Sequence, residues 1–147
     1  MVKFRIEKDS LGNIKVPYDK LWGAQTQRSV QNFKIGVGKF HFQEDFIKAL
    51  AFQKKAAALT NAQLKLMSNK HALIIGKVCD EIIHGKLNDH FPLVIWQTGS
   101  GTQINMNFNE VIANKSNLLL GSKLPSNKPL HPNDDINKSQ SSNDTIP

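Results

Sequence analysis

The sequence predicts a mainly α fold with a small β element at its N-terminal end. Three observations predict it. Residues 43–69 and 71–86 each repeat apolar side chains at helical spacing. A third helical stretch, 103–120, starts just after a pair of glycines and stops at Gly121. The first 40 residues are instead punctuated by glycine and hold two strand-length runs.

Taken in order, "FRIEKDSLGNIKVP" reads as a short strand, a turn at Leu11-Gly12-Asn13 and a second strand ended by Pro17. "LWGAQTQRSVQNF" holds a short helix after Gly23. The helix over 43–69 has Glu44 and Asp45 in its first turn, where acidic side chains suit the helix dipole. Its Phe46, Ile47, Leu50, Ala57 and Ala58 fall on one side. In 71–86, Ile74, Ile75, Val78, Cys79 and Ile82 recur as one stripe. That stripe puts Cys79 on the buried face as a structural thiol, with no positive neighbour evident to lower its pKa. "HFPLVIWQ" is a short apolar run leading into Thr98, "GSKLPSNKPLHPND" is a proline-rich loop, and "DINKSQSSNDTIP" begins something new.

At 147 residues the chain is long enough for a domain with a real core. No apolar run approaches the roughly 20 residues that span a bilayer. The first residues carry no apolar signal region, and a single cysteine cannot form an internal disulfide, which fits a reducing cytoplasm. The formal net charge is +7. Such an excess suits a polyanion partner, small anionic substrates, or simply lysines scattered over a solvated surface. The longest basic cluster is Lys54-Lys55, with no aromatic residues interleaved, so neither nucleic acid nor membrane is the expected partner.

Against that charge, nothing from Phe91 to Asn109 is charged. The strip "WQTGSGTQINMNFN" is dense in hydroxyls and amides. It lacks the lysine of a phosphate loop and the third glycine of a dinucleotide fingerprint. Thr98-Gly99-Ser100-Gly101-Thr102 ahead of a helix admits two readings. Glycines, hydroxyls and free helix N–H groups can cradle a carboxylate without formal positive charge. Equally, Thr102 can be a simple helix cap. Asn105, Asn107 and Asn109 are poor helix formers, so they imply hydrogen-bonding duties, structural or toward a ligand. On a helix 105 and 109 share a face and 107 lies away from it.

The second polar cluster is "HPNDDINKSQSSND". His131, Asn133 and Asp134 are expected in a loop, with Ser141, Ser142 and Asn143 a few residues on. No histidine or cysteine partner lies at ligand spacing, so no metal site is expected. Neither serine has a general base beside it in sequence.

Together, "RIEKDSLGNIKVP", "LWGAQTQRSVQNFKIG", "WQTGSGTQINMNFNEVIANKS" and "HPNDDINKSQSSNDTIP" closely resemble class II fumarate hydratase of the fumarase/aspartase superfamily, almost end to end. "WGAQTQRS" and "SQSSND" look like fumarase rather than aspartase. Tyr18 and Ile104 depart from the expected alanine and serine, and Ile104 removes one donor near the site.

The resemblance implies reversible hydration of fumarate to L-malate in the tricarboxylic acid cycle, with no metal or organic cofactor. It implies that Ser100, Gly101 and Thr102 bind one substrate carboxylate, and that Ser141, Ser142 and Asn143 bind substrate in the same pocket. His131, Pro132, Asn133 and Asp134 match a second, peripheral carboxylate site, with Lys128 standing for a basic residue beside it. The implied fold is the N-terminal domain, residues 1–137, followed at 138–147 by the start of a central helical bundle whose four copies build a homotetramer. The segments carrying the catalytic base are expected beyond this stretch, so no catalytic residue is assigned in it and the chain alone is expected to be inactive. The alternative is a non-catalytic module that binds dicarboxylates or joins subunits.

Overall fold

The computed structural model describes residues 3–146. Strands β1 (Phe4–Asp9) and β2 (Gly12–Pro17) form an antiparallel hairpin in which Arg5 pairs with Val16 and Glu7 with Ile14. The turn falls at Ser10-Leu11, one residue earlier than the glycine suggests, because Gly12 already opens β2 at φ +105°. The hairpin's inner face is mixed. Ile14 and Val16 bury there as the alternation requires, but β1 turns Arg5 and Glu7 inward and leaves Phe4 and Ile6 exposed. Arg5 is tolerated because all three nitrogens of its guanidinium find acceptors. It donates to Glu7 Oε1 (2.7 Å) and to the carbonyls of Pro17 (2.9 Å), Lys20 (2.6 Å) and Trp22 (2.6 Å).

Helix α1 (Ala24–Asn32) follows Gly23, as expected. The expected helix 43–69 is shorter. α2 runs Glu44–Gln63, and Lys65 at φ 62° turns the chain before Ser68 caps α3 (Asn69–Ile83) by accepting from the His71 N–H. The two helices lie side by side as a helical hairpin. Ile47, Leu50 and Ala58 of the expected stripe are buried; Phe46 and Ala57 are half-buried at its margin. The stripe continues through Lys54 and Asn61, seven residues apart, which apolar periodicity could not mark. Lys54 therefore does not belong to a solvated basic pair: it is buried, while Lys55 reaches out to Asp80 at 2.7 Å. On α3 Ile75, Val78, Cys79 and Ile82 are fully enclosed and Ile74 is half-buried.

A 3₁₀ turn (Asn88–His90) leads to α4 (Thr102–Leu119), which runs through the middle of the molecule. Residues Ile104–Asn114 of α4 are buried without interruption, so the helix is enclosed on every side by α1, α3 and the C-terminal segment. Phe108 stacks on Phe91 at 4.4 Å between centroids. Residues Pro132–Ile136 form a π-helical turn where a loop was expected, and α5 (Ser142–Thr145) closes the described chain.

Candidate functional site

Four asparagines of α4, at 105, 107, 114 and 117, form a ladder that ties the helix to neighbouring segments, whereas Asn109 donates only to Met106 Sδ at 3.6 Å and its Oδ1 is buried without a partner among the described residues. Asn107 Nδ2 donates to the His90 carbonyl (3.0 Å) and Asn114 Nδ2 to that of Leu21 (2.7 Å). Asn117 holds the proline-rich loop, donating to Leu130 O (2.8 Å) and accepting from Leu130 N (2.9 Å). Asn105 accepts from Lys54 Nζ (2.7 Å) and donates to Asn137 Oδ1 (3.0 Å). Because α4 is enclosed all round, 107 is as buried as 105 and 109.

That ladder fixes the N-terminus of α4, where the neutral strip sits. Gly101 is the N-cap at φ +68° and it is buried against Ile146: a Cβ there would come within 2.5 Å of Ile146 Cγ2. The glycine thus serves packing of the strip against α5, while Gly99 faces open space. Thr102 is not the cap. It is the first helical residue, and its hydroxyl lies 3.1 Å from Ser100 Oγ and 3.4 Å from Ser142 Oγ. Thr98 Oγ1 lies 3.3 Å from Ser100 Oγ and also bonds Gln103 Oε1. The N–H of Ile104 is taken by Gln97 Oε1 at 3.0 Å. The N–H groups of Thr102 and Gln103 meet no acceptor among the described residues. Ser141 caps α5, accepting from Asn143 N at 3.3 Å. A row of hydroxyls and two free N–H groups therefore face outward at one place, drawn from segments 40 residues apart. This arrangement can take a carboxylate at a helix N-terminus.

The second cluster is built differently. His131 Nδ1 accepts from the N–H of Asn133 and of Asp134, both at 3.3 Å. That bonding assigns the proton to Nε2, which is left as a donor. Asp135 Oδ2 accepts from His131 N at 2.8 Å and locks the turn. Asp134 Oδ2 lies 3.4 Å from Nδ1, a contact that becomes an ion pair only when the ring is protonated. His131, Pro132 and Asn133 line a cavity of about 290 Å³ between the β1–β2 hairpin and α4. Asn127 lines it; Lys128 instead sits in the exposed loop, its carbonyl accepting from Ser122 Oγ (3.0 Å) and Ser126 Oγ (2.8 Å). A neighbouring cavity of about 330 Å³ is lined by Thr102 and Gln103, and both cavities share Asp9, Ser10, Gln25 and Met106. The two clusters are thus linked along one side of α4. Ser100, Ser141 and Asn143 lie on the open surface and Ser142 is half-buried beside them, none of them lining these cavities.

Besides Arg5 and Glu7 of the hairpin, the buried charges Glu110 and Lys54 escaped sequence reasoning. Glu110, 5% exposed, accepts from the N–H groups of Gly23 (2.9 Å), Gln25 (2.9 Å) and Thr26 (3.0 Å). It caps α1 from across the fold and forms the floor of the His131 cavity. Burial pushes its carboxyl above the ordinary value, and the three N–H groups pull it back. Lys54, 1% exposed, donates to Asn105 and to Asn137 Oδ1 (3.1 Å). Burial lowers its pKa to about 7. Cys79 does have a positive neighbour after all, Lys54, yet burial dominates and pushes the thiol up to about 12, so it stays a structural thiol. The signal for both charges was their place on an inward face, visible only once helix packing is known.

Among the described residues no helix is long and apolar enough to cross a membrane, and no group of three or more His, Cys, Asp or Glu could hold a metal ion.

The family model described as Lyase matches residues 12–147. The class II fumarate hydratase of Bacillus cereus is 57% identical over 146 residues, 99% of this chain and 31% of that protein. The mitochondrial fumarate hydratase of Rattus norvegicus is 58% identical over 144 residues, 98% of this chain and 28% of that protein. The crystal structure of recombinant class II fumarase from Schistosoma mansoni superposes with a TM-score of 0.91 at 45% identity, covering 98% of this chain and 30% of that one. The chain spans about 31% of the length of the curated relatives it matches. The chain belongs to the lyase family of the fumarase/aspartase superfamily, and its relatives there are class II fumarate hydratases.

Proposed function

We propose that this chain supplies substrate-carboxylate contacts for the reversible hydration of fumarate to L-malate in a class II fumarate hydratase. The observation that carries the reading is the meeting of Thr102 and Ser142 hydroxyls at 3.4 Å, which joins two polar segments at the start of α4. In this reading Ser100, Gly101 and Thr102 hold one carboxylate through hydroxyls and N–H groups. Ser141, Ser142 and Asn143 hold substrate beside them. Donors aimed at a carboxylate stabilise the charge that develops there when the C3 proton of malate leaves. His131, Asn133 and Asp134, with Pro132 shaping the turn and Lys128 nearby, receive a second carboxylate through the His131 Nε2–H and the exposed side-chain amide of Asn133. Residues 1–137 act as the N-terminal domain and 138–147 open a helical bundle through which subunits form a homotetramer in the cytoplasm. The base that moves the proton comes from outside the 147 residues.

The test is fumarate turnover followed by absorbance. The chain alone is expected to be silent. Mixed with the remaining segment of the Bacillus cereus relative, it is expected to turn fumarate over, and Ser100→Ala with Thr102→Val is expected to abolish that gain. Turnover untouched by the double substitution contradicts the reading. If the chain binds malate yet restores nothing when reassembled, the non-catalytic dicarboxylate-binding reading replaces it.

A further inference from the structure

Lys54 on α2 joins the two halves of the proposed carboxylate site from behind. Its Nζ donates to Asn105 Oδ1 at 2.7 Å and Asn137 Oδ1 at 3.1 Å. Asn105 lies on α4 three residues after Thr102, and its Nδ2 closes the triangle onto Asn137 at 3.0 Å. Asn137 in turn donates to Gln140 O at 3.1 Å, immediately before Ser141. A second residue on the same stripe of α2, Asn61, holds Lys138 O at 3.0 Å. The strip at 98–103 and the segment at 141–143 make only a long hydroxyl contact with each other at the surface. Their relative placement is set by the packing of Gly101 on Ile146 and, in the core, by one ammonium and two amides.

We propose that Lys54 is a positioning residue for dicarboxylate binding, acting through Asn105 and Asn137 to hold Thr102 and Ser142 in register. The proposal deepens the carboxylate-site reading above and rests on it.

The surroundings make this tie responsive to protons. Cys79 faces Lys54 from α3, where the adjacent Asp80 is engaged by Lys55. α4 offers the neutral Asn105, and the C-terminal segment the neutral Asn137. Asp135 is held by the His131 N–H, and Asp134 faces the His131 ring. Among the described residues no carboxylate pairs with Lys54, so burial wins and its pKa falls to about 7. A protonated lysine has three donors; deprotonation removes one, and with it the charge that strengthens both bonds. Linkage is reciprocal, so a dianion that binds better to the protonated form must raise the lysine's midpoint.

The test uses the full 147-residue chain with 13C-labelled lysine and 15N-labelled amides. Without ligand, one lysine is expected to titrate near pH 7. The Asn105 and Asn137 side-chain amides, with the Thr102 and Ser142 backbone amides, should move at the same midpoint. Amides that ignore that midpoint overturn the proposal, whether or not malate binds. With saturating L-malate the midpoint is expected to rise, and malate affinity to fall about tenfold from pH 6 to pH 8, a size usual for coupled sites. Lys54→Arg, which keeps the charge, should retain affinity and flatten the pH profile, while Lys54→Met should bind weakly at every pH. A midpoint indifferent to bound malate, or Lys54→Met binding like wild type, overturns the proposal. Where Lys54→Met does not fold, the wild-type midpoint shift decides. Absence of malate binding by wild type with the ligand-free coupling intact defeats the carboxylate-site reading and leaves only the coupling.

Discussion

Glu110 Oε2 lies 2.9 Å from the amide nitrogen of Gly23, a residue 87 positions earlier in the chain. The contact leaves no room for a side chain, since a Cβ on residue 23 would sit 2.8 Å from Glu110 Oε1. One carboxylate satisfies three N–H groups at the start of α1, which has no side-chain cap of its own. Glu110→Ala removes the acceptor while the donors stay buried. It is expected to destabilise the chain by about 3 kcal/mol or more, read from urea unfolding. An unchanged unfolding midpoint contradicts this role.

Gly101 combines a left-handed backbone with close approach to Ile146. Gly101→Ala adds a Cβ where Ile146 already stands, so the strip and α5 must separate. A loss of about 1–3 kcal/mol is expected from the overpacking and strain. Amide shifts at Ser142 and Asn143 are the check, and a variant whose spectrum overlays the wild type there contradicts the packing argument.

Lys54 gives stability a pH dependence of known sign. Its folded pKa, about 7, lies below the model-peptide value of 10.5, so between these values the unfolded chain binds more protons. Stability is therefore expected to rise from pH 7 toward pH 10, by at most about 1.4 kcal/mol per pH unit in this window. Comparing urea midpoints of wild type and Lys54→Met at both ends isolates the term. An equal slope in the two proteins contradicts it.

Thr102 and Ser142 should act as a unit toward a dicarboxylate. Thr102→Val and Ser142→Ala each remove one hydroxyl of a touching pair, so their effects on malate affinity are expected to be non-additive, with a coupling of about 0.5–1.5 kcal/mol. Strict additivity in a double-mutant cycle places the two hydroxyls in separate interactions.

The helices, the hairpin and the polar strip were legible because each rests on local chemistry: apolar spacing, glycine and proline punctuation, and an uncharged run. The expected 43–69 helix extends past its true end because neither glycine nor proline interrupts the sequence there, whereas the left-handed Lys65 turns the chain just after Gln63. The turn at 132–136 was missed because a histidine ring accepts the N–H groups that normally mark a loop. Lys54 and Glu110 were illegible for one physical reason. Each is tolerated through partners 51 to 87 residues away, and no local pattern encodes those partners.

The most direct test is titration of the 15N-labelled chain with L-malate and fumarate, following the amides of Ser100, Thr102, Ser142 and Asn143. Saturable shifts at these residues, lost in Ser100→Ala with Thr102→Val, are the expected result. No shift at millimolar ligand, or shifts spread over lysine-rich surface alone, would contradict a carboxylate site at the start of α4.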